Sequence, residues 1–413
     1  MQMFIIFVYT ILLILFSFAS YCKYNRFLNI ISVFTVIWCV FGSISALGLY
    51  GLRPPKLFIH LLAWVFISIV DVFSLLCVHK ESCYRDFKIV KYPKRIALLQ
   101  LISIILLLPT VLSSIQVLIS TGSITQVRSE YFSVDSGYSN IFFSLLFGAI
   151  PKGMLGALIV YYIYVSFVNK EMKYLLYAFL NTAFTFVMDG GRTTLFSLMT
   201  LLLITFCYTD KKNQAANYIR RVIKKYMVYA CIGLFAITLL RGSDDVFRSL
   251  VVYFSGSLAF LDYIIANPMD YGLNDGYLYG YMILGFITEP FVLILKVLGL
   301  SSARIPSYYF NICCQNFVDI STQFASMPVL YNNNTSILFF LYRDSGIIGV
   351  ILGAVYYGVL ISFSYNRWMK GSHFWGLCHL LICQSLFYTI MGYSLSGYSL
   401  IFTLISFRFL LKK

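Results

Sequence analysis

Three short stretches place arginine beside aspartate where an otherwise apolar chain is interrupted. "MDGGR" supplies Asp189 and Arg192, "RGSDDVFR" supplies Arg241, Asp244, Asp245 and Arg248, and "LYRDSG" supplies Arg343 and Asp344. The planar fork of arginine grips two oxygens of one phosphate or carboxylate at once, so each stretch could hold an anionic group. Each also has a structural reading. Asp189 and Arg192 could pair and end two helices, the glycines between them allowing the φ > 0 of a tight reversal. Arg241 and Arg248, seven residues apart, share a helix face. Asp245 and Asp244 lie four residues from them and could form local ion pairs instead. Gly346 and Gly349 follow Arg343 and Asp344, and small residues let helices approach closely.

The elements that must position these residues are membrane helices. Of 413 residues, 60% are hydrophobic and 11% charged, against about 25% charged in a soluble domain. Apolar runs of about 20 residues, the length that crosses a bilayer, recur along the chain. They lie at 3–21, 28–50, 57–78, 96–120, 141–167, 174–188, 193–209, 226–240, 345–365, 374–393 and 397–411. The predicted fold is therefore all-α and polytopic, with about 11 transmembrane helices and one domain over 1–413. The first run lacks a basic leader and a small-residue cleavage site, so it reads as a retained helix.

The net charge of +15 does not indicate nucleic acid, because the basic residues sit in short loops on one side. The segments 23–26, 79–95, 169–173, 210–225, 366–370 and 408–413 hold 21 of the 31 Lys and Arg. Positive loops face the cytoplasm, which puts the N-terminus outside and the C-terminus inside. Most of the ten cysteines lie within apolar runs, where Cys acts as a small hydrophobe, and no Cys or His spacing suits a metal.

One outer loop is long, 241–344, and holds half of the 16 acids. Its apolar stretches at 249–266 and 279–300 could form an extra hairpin of spans. That arrangement would put 267–276, with two aspartates and no Lys or Arg, in the cytoplasm. The charge pattern therefore favours helices lying on or dipping into the outer leaflet. Three Arg/Asp sites then share one membrane face, a layout that would serve a lipid-linked pyrophosphate. No Walker loop, HExxH or GxSxG elbow is present, and no cytosolic segment is large enough to bind a nucleotide. An outer-face reaction would have to draw its energy from the substrate.

The stretches "GGRTTLFSLMTLLLITF", "LLRGSDDVFRSLVVYFSGSLAFLDY" and "NNNTSILFFLYRDSGIIGVILGAVYYG", with the long outer loop before the last spans, resemble the Wzy-type O-antigen and capsule polymerases. The resemblance covers nearly the whole chain, though its motifs are loose. It implies a GT-C-like membrane glycosyltransferase in the bacterial inner membrane, needing no metal or cofactor. Such an enzyme transfers a growing glycan from undecaprenyl pyrophosphate to the next lipid-linked repeat unit. Its partners would be the undecaprenyl-pyrophosphate-linked oligosaccharide, membrane lipid, a chain-length regulator and a flippase.

By that resemblance Arg192, Arg241 and Arg248 would steady the charge building on the pyrophosphate. Asp189 and Arg343 would help bind substrate. Asp262 and Asp344 are candidates to accept the acceptor hydroxyl's proton. Tyr277 and Tyr308 would stack on sugar rings, or else belong to an interfacial belt. The related ligases use an outer-face histidine. Here only His60 lies near the outer end of a span, where a polar interfacial role is expected, so the base is unassigned. A flippase or transporter of the same pathway and an O-antigen ligase are the alternative readings.

Overall fold

The computed structural model describes residues 1–412 apart from 79–87, 125, 128–144, 209–220, 223, 230, 234, 237–245, 302, 316, 323–327 and 332–334. Its helices are α1 (Gln2–Tyr24), α2 (Ile30–Leu47), α3 (Leu57–Leu76), α4 (Pro93–Thr121), α5 (Ile150–Val168), α6 (Lys173–Asp189) and α7 (Arg192–Tyr208). They continue as α8 (Val246–Ala266), α9 (Gly285–Val297), α10 (Pro306–Gln315), α11 (Ile337–Met369), α12 (His373–Tyr388) and α13 (Ser399–Leu411). Among the described residues, seven helices are long and apolar enough to cross a membrane: those of α1 to α5, α8 and α11. This is a helical, membrane-embedded protein. α6, α7, α12 and α13 have 17, 17, 16 and 13 residues, and the expected span at 226–240 lies partly outside the described residues.

Contacts divide the chain into two compact units. The first comprises Met1–Ser82, Phe247–Asn366 and Ser385–Gly397. Its helices pack through small residues, because without a hydrophobic drive between helices close van der Waals approach must hold them. A Cβ on Gly42 of α2 would come 2.4 Å from the Tyr9 ring of α1. One on Gly358 of α11 would come 2.6 Å from Phe73 of α3. α2 begins with a capping box in which Asn29 and Ser32 bond each other's backbone N–H.

Backbone contacts sort this unit into two ends. At one end, Arg53 N–H donates to Ile320 O at 2.8 Å and Thr322 N–H to Gly51 O at 2.8 Å. This joins the α2–α3 loop to the antiparallel pair β1 (Val318–Asp319) and β2 (Leu330–Tyr331). At the other, Asn366 Nδ2 donates to Cys77 O at 2.8 Å, and the Tyr24 and Tyr365 rings meet edge to face at 6.2 Å.

The second unit comprises Cys83–Val246, Arg367–Gln384 and Tyr398–Lys413. α4, α5 and α6 share a core of Leu107, Val111, Leu155 and Met188. Gln100 and Asn181 exchange amide hydrogen bonds at 2.9 and 3.0 Å, a reciprocal pairing that leaves little of either amide unmet in lipid.

Candidate functional site

"MDGGR" is the reversal between α6 and α7 that the sequence predicts. Gly190 has φ 57° and closes α6, a left-handed position that glycine fills without a Cβ penalty. Asp189 is spoken for locally. Its Oδ1 accepts the Gly191 N–H at 2.7 Å and its Oδ2 the Thr194 hydroxyl at 2.9 Å, capping the start of α7. Arg192 is the first residue of α7. Arg241, Asp244 and Asp245 lie outside the described residues. Arg248 sits in the first turn of α8, half-buried.

The third Arg/Asp stretch is where the structure departs most from a plain span. α11 is broken at Ser345 (φ −159°, ψ 32°) and Gly346 (φ 60°, ψ −139°). A Cβ on Gly349 would lie 2.0 Å from the Leu341 carbonyl oxygen, and one on Gly353 would lie 2.2 Å from Leu341 Cδ2. In a continuous helix, residues eight apart are separated by about 12 Å. The chain has therefore doubled back, with 337–344 lying against 347–369. The glycines expected to allow close packing do so, inside one helix hairpin rather than between two spans.

Arg343 and Asp344 stand at the bend of that hairpin. Both are buried, with 1% and 0% of their surface exposed. Asp344 accepts the Met282 N–H at 2.9 Å and the Ile283 N–H at 2.8 Å, one on each carboxylate oxygen. Its own carbonyl accepts the Tyr279 N–H at 2.8 Å. It fixes the 276–284 loop with one hydrogen bond on each carboxylate oxygen.

Arg343 is arranged differently. Nη1 donates to Gly276 O, and the guanidinium lies 5.0 Å from the Tyr309 ring centre. Nε and Nη2 have no partner among the described residues. These two atoms form the side edge of the guanidinium, the edge that grips two oxygens in parallel. A buried guanidinium with an unmet bidentate edge is costly to maintain.

Further aromatic groups lie in the loops that pack at this bend. Tyr277 is half exposed at 52%, and its hydroxyl would meet a Cβ on Gly346 at 2.7 Å. Arg304 stacks on Tyr308 at 4.8 Å and pairs with Asp275 at 3.1 Å. The Tyr308 and Tyr309 rings meet edge to face at 5.6 Å. Burial pushes the Tyr281 hydroxyl up, and burial together with Tyr263 pushes Tyr271 up to about 12.

Sequence reasoning singled out Arg343, Tyr277 and the tyrosine pair at 308–309 but missed Arg304. The lone Arg304 in an apolar stretch was the available signal. Asp262 is elsewhere in this unit, 6% exposed, with Lys56 and Arg53 as its charged neighbours. Those two basic residues of the α2–α3 loop carried no signal beyond their charge.

α8, expected at the interface, is long and apolar enough to cross a membrane, whereas α9 is 13 residues with Pro290 inside. His60 is not interfacial. It is fully buried, with Nδ1 3.0 Å from the Tyr9 hydroxyl. His373 and His379 likewise meet Tyr164 and Tyr208 at 3.2 and 2.6 Å. Every described histidine thus bonds a tyrosine, His60 and His379 while fully buried and His373 half-buried at the start of α12.

The geometry is that of a multi-span helical protein with a guanidinium edge and tyrosines at the bend of a broken helix. Comparison with protein-family models, with curated proteins and with solved structures finds no match to this chain.

Proposed function

We propose that this chain is a membrane glycosyltransferase of the Wzy type, which polymerises lipid-linked oligosaccharide repeat units at the outer face of a bacterial inner membrane. The observation that carries this reading is Arg343, whose paired Nε and Nη2 are buried beside Tyr309 without a hydrogen-bond partner among the described residues. A pyrophosphate oxygen pair fits that edge, and the guanidinium would steady charge as it builds on the leaving undecaprenyl pyrophosphate. The edge is enclosed, so the ligand reaches it by movement of the 276–284 loop, which Asp344 anchors. Tyr277 and Tyr308, the exposed aromatics of the cluster, offer ring faces to the glycan. Arg248, in the same unit as Arg343, remains in this reading as a further pyrophosphate ligand, and Asp189 has a capping role. Asp262, beside Lys56 and Arg53, is the remaining carboxylate for the acceptor hydroxyl.

The flippase reading draws on one observation as well. Transporters build substrate sites from broken helices, and α11 is broken beside two ionisable residues. The surface-glycan ladder of a deletion strain separates the two. A polymerase defect leaves single repeat units on the surface, and complementation with Arg343→Lys fails to restore long chains. If no lipid-linked unit reaches the outer face, the flippase reading replaces the polymerase.

A further inference from the structure

The first unit contains an acid that the reading above does not use. Asp71 lies in α3, 0% exposed, fourteen residues after Leu57 and five before Leu76. It is thus closer to the end that carries Cys77 and Asn366 than to the end with Arg343. Thr35 and Cys39 face it from α2. Ser74 lies one turn on, and Ser362 of α11 donates to the Ser74 carbonyl at 3.1 Å. Among the described residues no Lys, Arg or His forms an ion pair with Asp71, and Oδ1 has no hydrogen-bond partner.

The hydrogen bonds around Thr35 can be counted. Its hydroxyl oxygen is 2.9 Å from Ile31 O and 2.8 Å from Asp71 Oδ2. A threonine hydroxyl has one proton to give. Ile31 O is acceptor only, and an ionised carboxylate is acceptor only. With Asp71 ionised, one of the two short contacts would bring acceptor against acceptor. With a proton on Oδ2, Asp71 donates to Thr35 Oγ1 and Thr35 donates to Ile31 O. Both contacts are then hydrogen bonds, and no uncompensated charge is left in a membrane-spanning segment, where an ionisable residue is expensive and tends to be functional.

We infer that Asp71 is a proton-binding site inside the membrane-spanning part of the protein, a neutral carboxylic acid whose bound proton ties α3 to α2 through Thr35. Losing the proton would leave Thr35 with one hydrogen for two acceptors, so release requires Thr35 to give up either Ile31 O or Asp71. The site stands apart from the polymerase reading and survives or fails independently of it.

Infrared spectroscopy of the full chain in lipid, carrying aspartate labelled with carbon-13 at the side-chain carboxyl, tests this directly. The expected spectrum shows a deuterium-sensitive carboxylic-acid C=O band at neutral pH that Asp71→Asn removes. Asparagine can donate to Thr35 in the same geometry, so this variant should stay folded. Thr35→Val should keep the band but move it upward, because the acid proton loses its acceptor. Loss of a carboxylate band in Asp71→Asn, or an acid band unmoved in Thr35→Val, would overturn the proposal. Should Asp71→Asn not fold, the Thr35→Val shift decides alone.

Discussion

At the scale of single residues, Arg343 and Asp344 are neighbours in sequence with opposite tasks. Among the described residues Arg343 keeps a bidentate edge unmet, whereas Asp344 gives both oxygens to backbone N–H groups. Arg343→Lys should therefore lower polymer formation at least about tenfold with protein level unchanged. Lysine retains the charge but not the fork, and a charge-assisted hydrogen bond contributes about 1.5–3 kcal/mol. The glycan ladder, read beside an immunoblot, measures it.

Asp344→Asn should act on stability. The amide must turn a donor toward one of two backbone N–H groups, which costs about 1–3 kcal/mol and lowers the melting temperature in detergent. Were Asp344 the proton acceptor, Asn would melt like the parent and be inactive. The sequence made this pair visible because charge is conspicuous in an apolar run. It could not reveal their division of labour, since that depends on the Met282 and Ile283 backbone, sixty residues upstream. His60 was misplaced for a similar reason: its partner Tyr9 lies 51 residues away.

At the scale of elements, hydropathy made most helices legible to within a few residues, as with 57–78 against Leu57–Leu76. The reversal at Ser345–Gly346 was legible only in part: the expected span began at 345, just after Arg343 and Asp344, but nothing marked 337–344 as helix folded back against it. Glycine substitutions probe it. Gly349→Ala would force a methyl within 2.0 Å of a carbonyl oxygen, and should abolish the folded protein or activity. Gly156→Ala in α5 is the matched comparison, with nothing within 4 Å of its Cβ. It should be neutral or stabilise by up to about 1 kcal/mol, the difference in helix propensity, as read by thermal melting.

The connection before α4 offers a test of another kind. Lys91 and Glu171 form a salt bridge that holds the Glu171 carboxyl below its ordinary range and raises Lys91. A lowered carboxyl contributes above its unfolded value and loses that contribution as pH falls through its folded value. A raised amine contributes below its unfolded value and loses it as pH rises through its folded one. Glu171→Gln should therefore lower stability at neutral pH by less than about 1 kcal/mol for so exposed a pair, read as a small drop in melting temperature. The difference from the parent should vanish in acid. A difference that persists unchanged in acid would mean that the pair contributes nothing.

At the scale of the whole molecule, the first unit carries a topology that the charge pattern alone suggested. Gly276 O bonds Arg343 and the Tyr279 N–H bonds Asp344 O, so the 276–279 loop lies at the bend of α11. From that bend, 347–369 runs 23 residues, about 34 Å at 1.5 Å per residue, enough to cross a bilayer. Its far end meets Cys77 and Tyr24 through Asn366 and Tyr365. Asn274 and Asn25 therefore belong to opposite ends of the unit, whichever way α8 is inserted.

On the topology expected from the charge pattern, the basic "KYNR" at 23–26 would put the Asn25 end in the cytoplasm and Asn274 outside. In a cysteine-free background, Asn274→Cys should react with a membrane-impermeant maleimide in intact cells. Asn25→Cys should react only after the membrane is opened. Labelling of both from the same side would break the two-ended arrangement. The reverse pattern would keep it and turn the protein over, moving the Arg343 site to the cytoplasm and removing an outer-face polymerase from consideration.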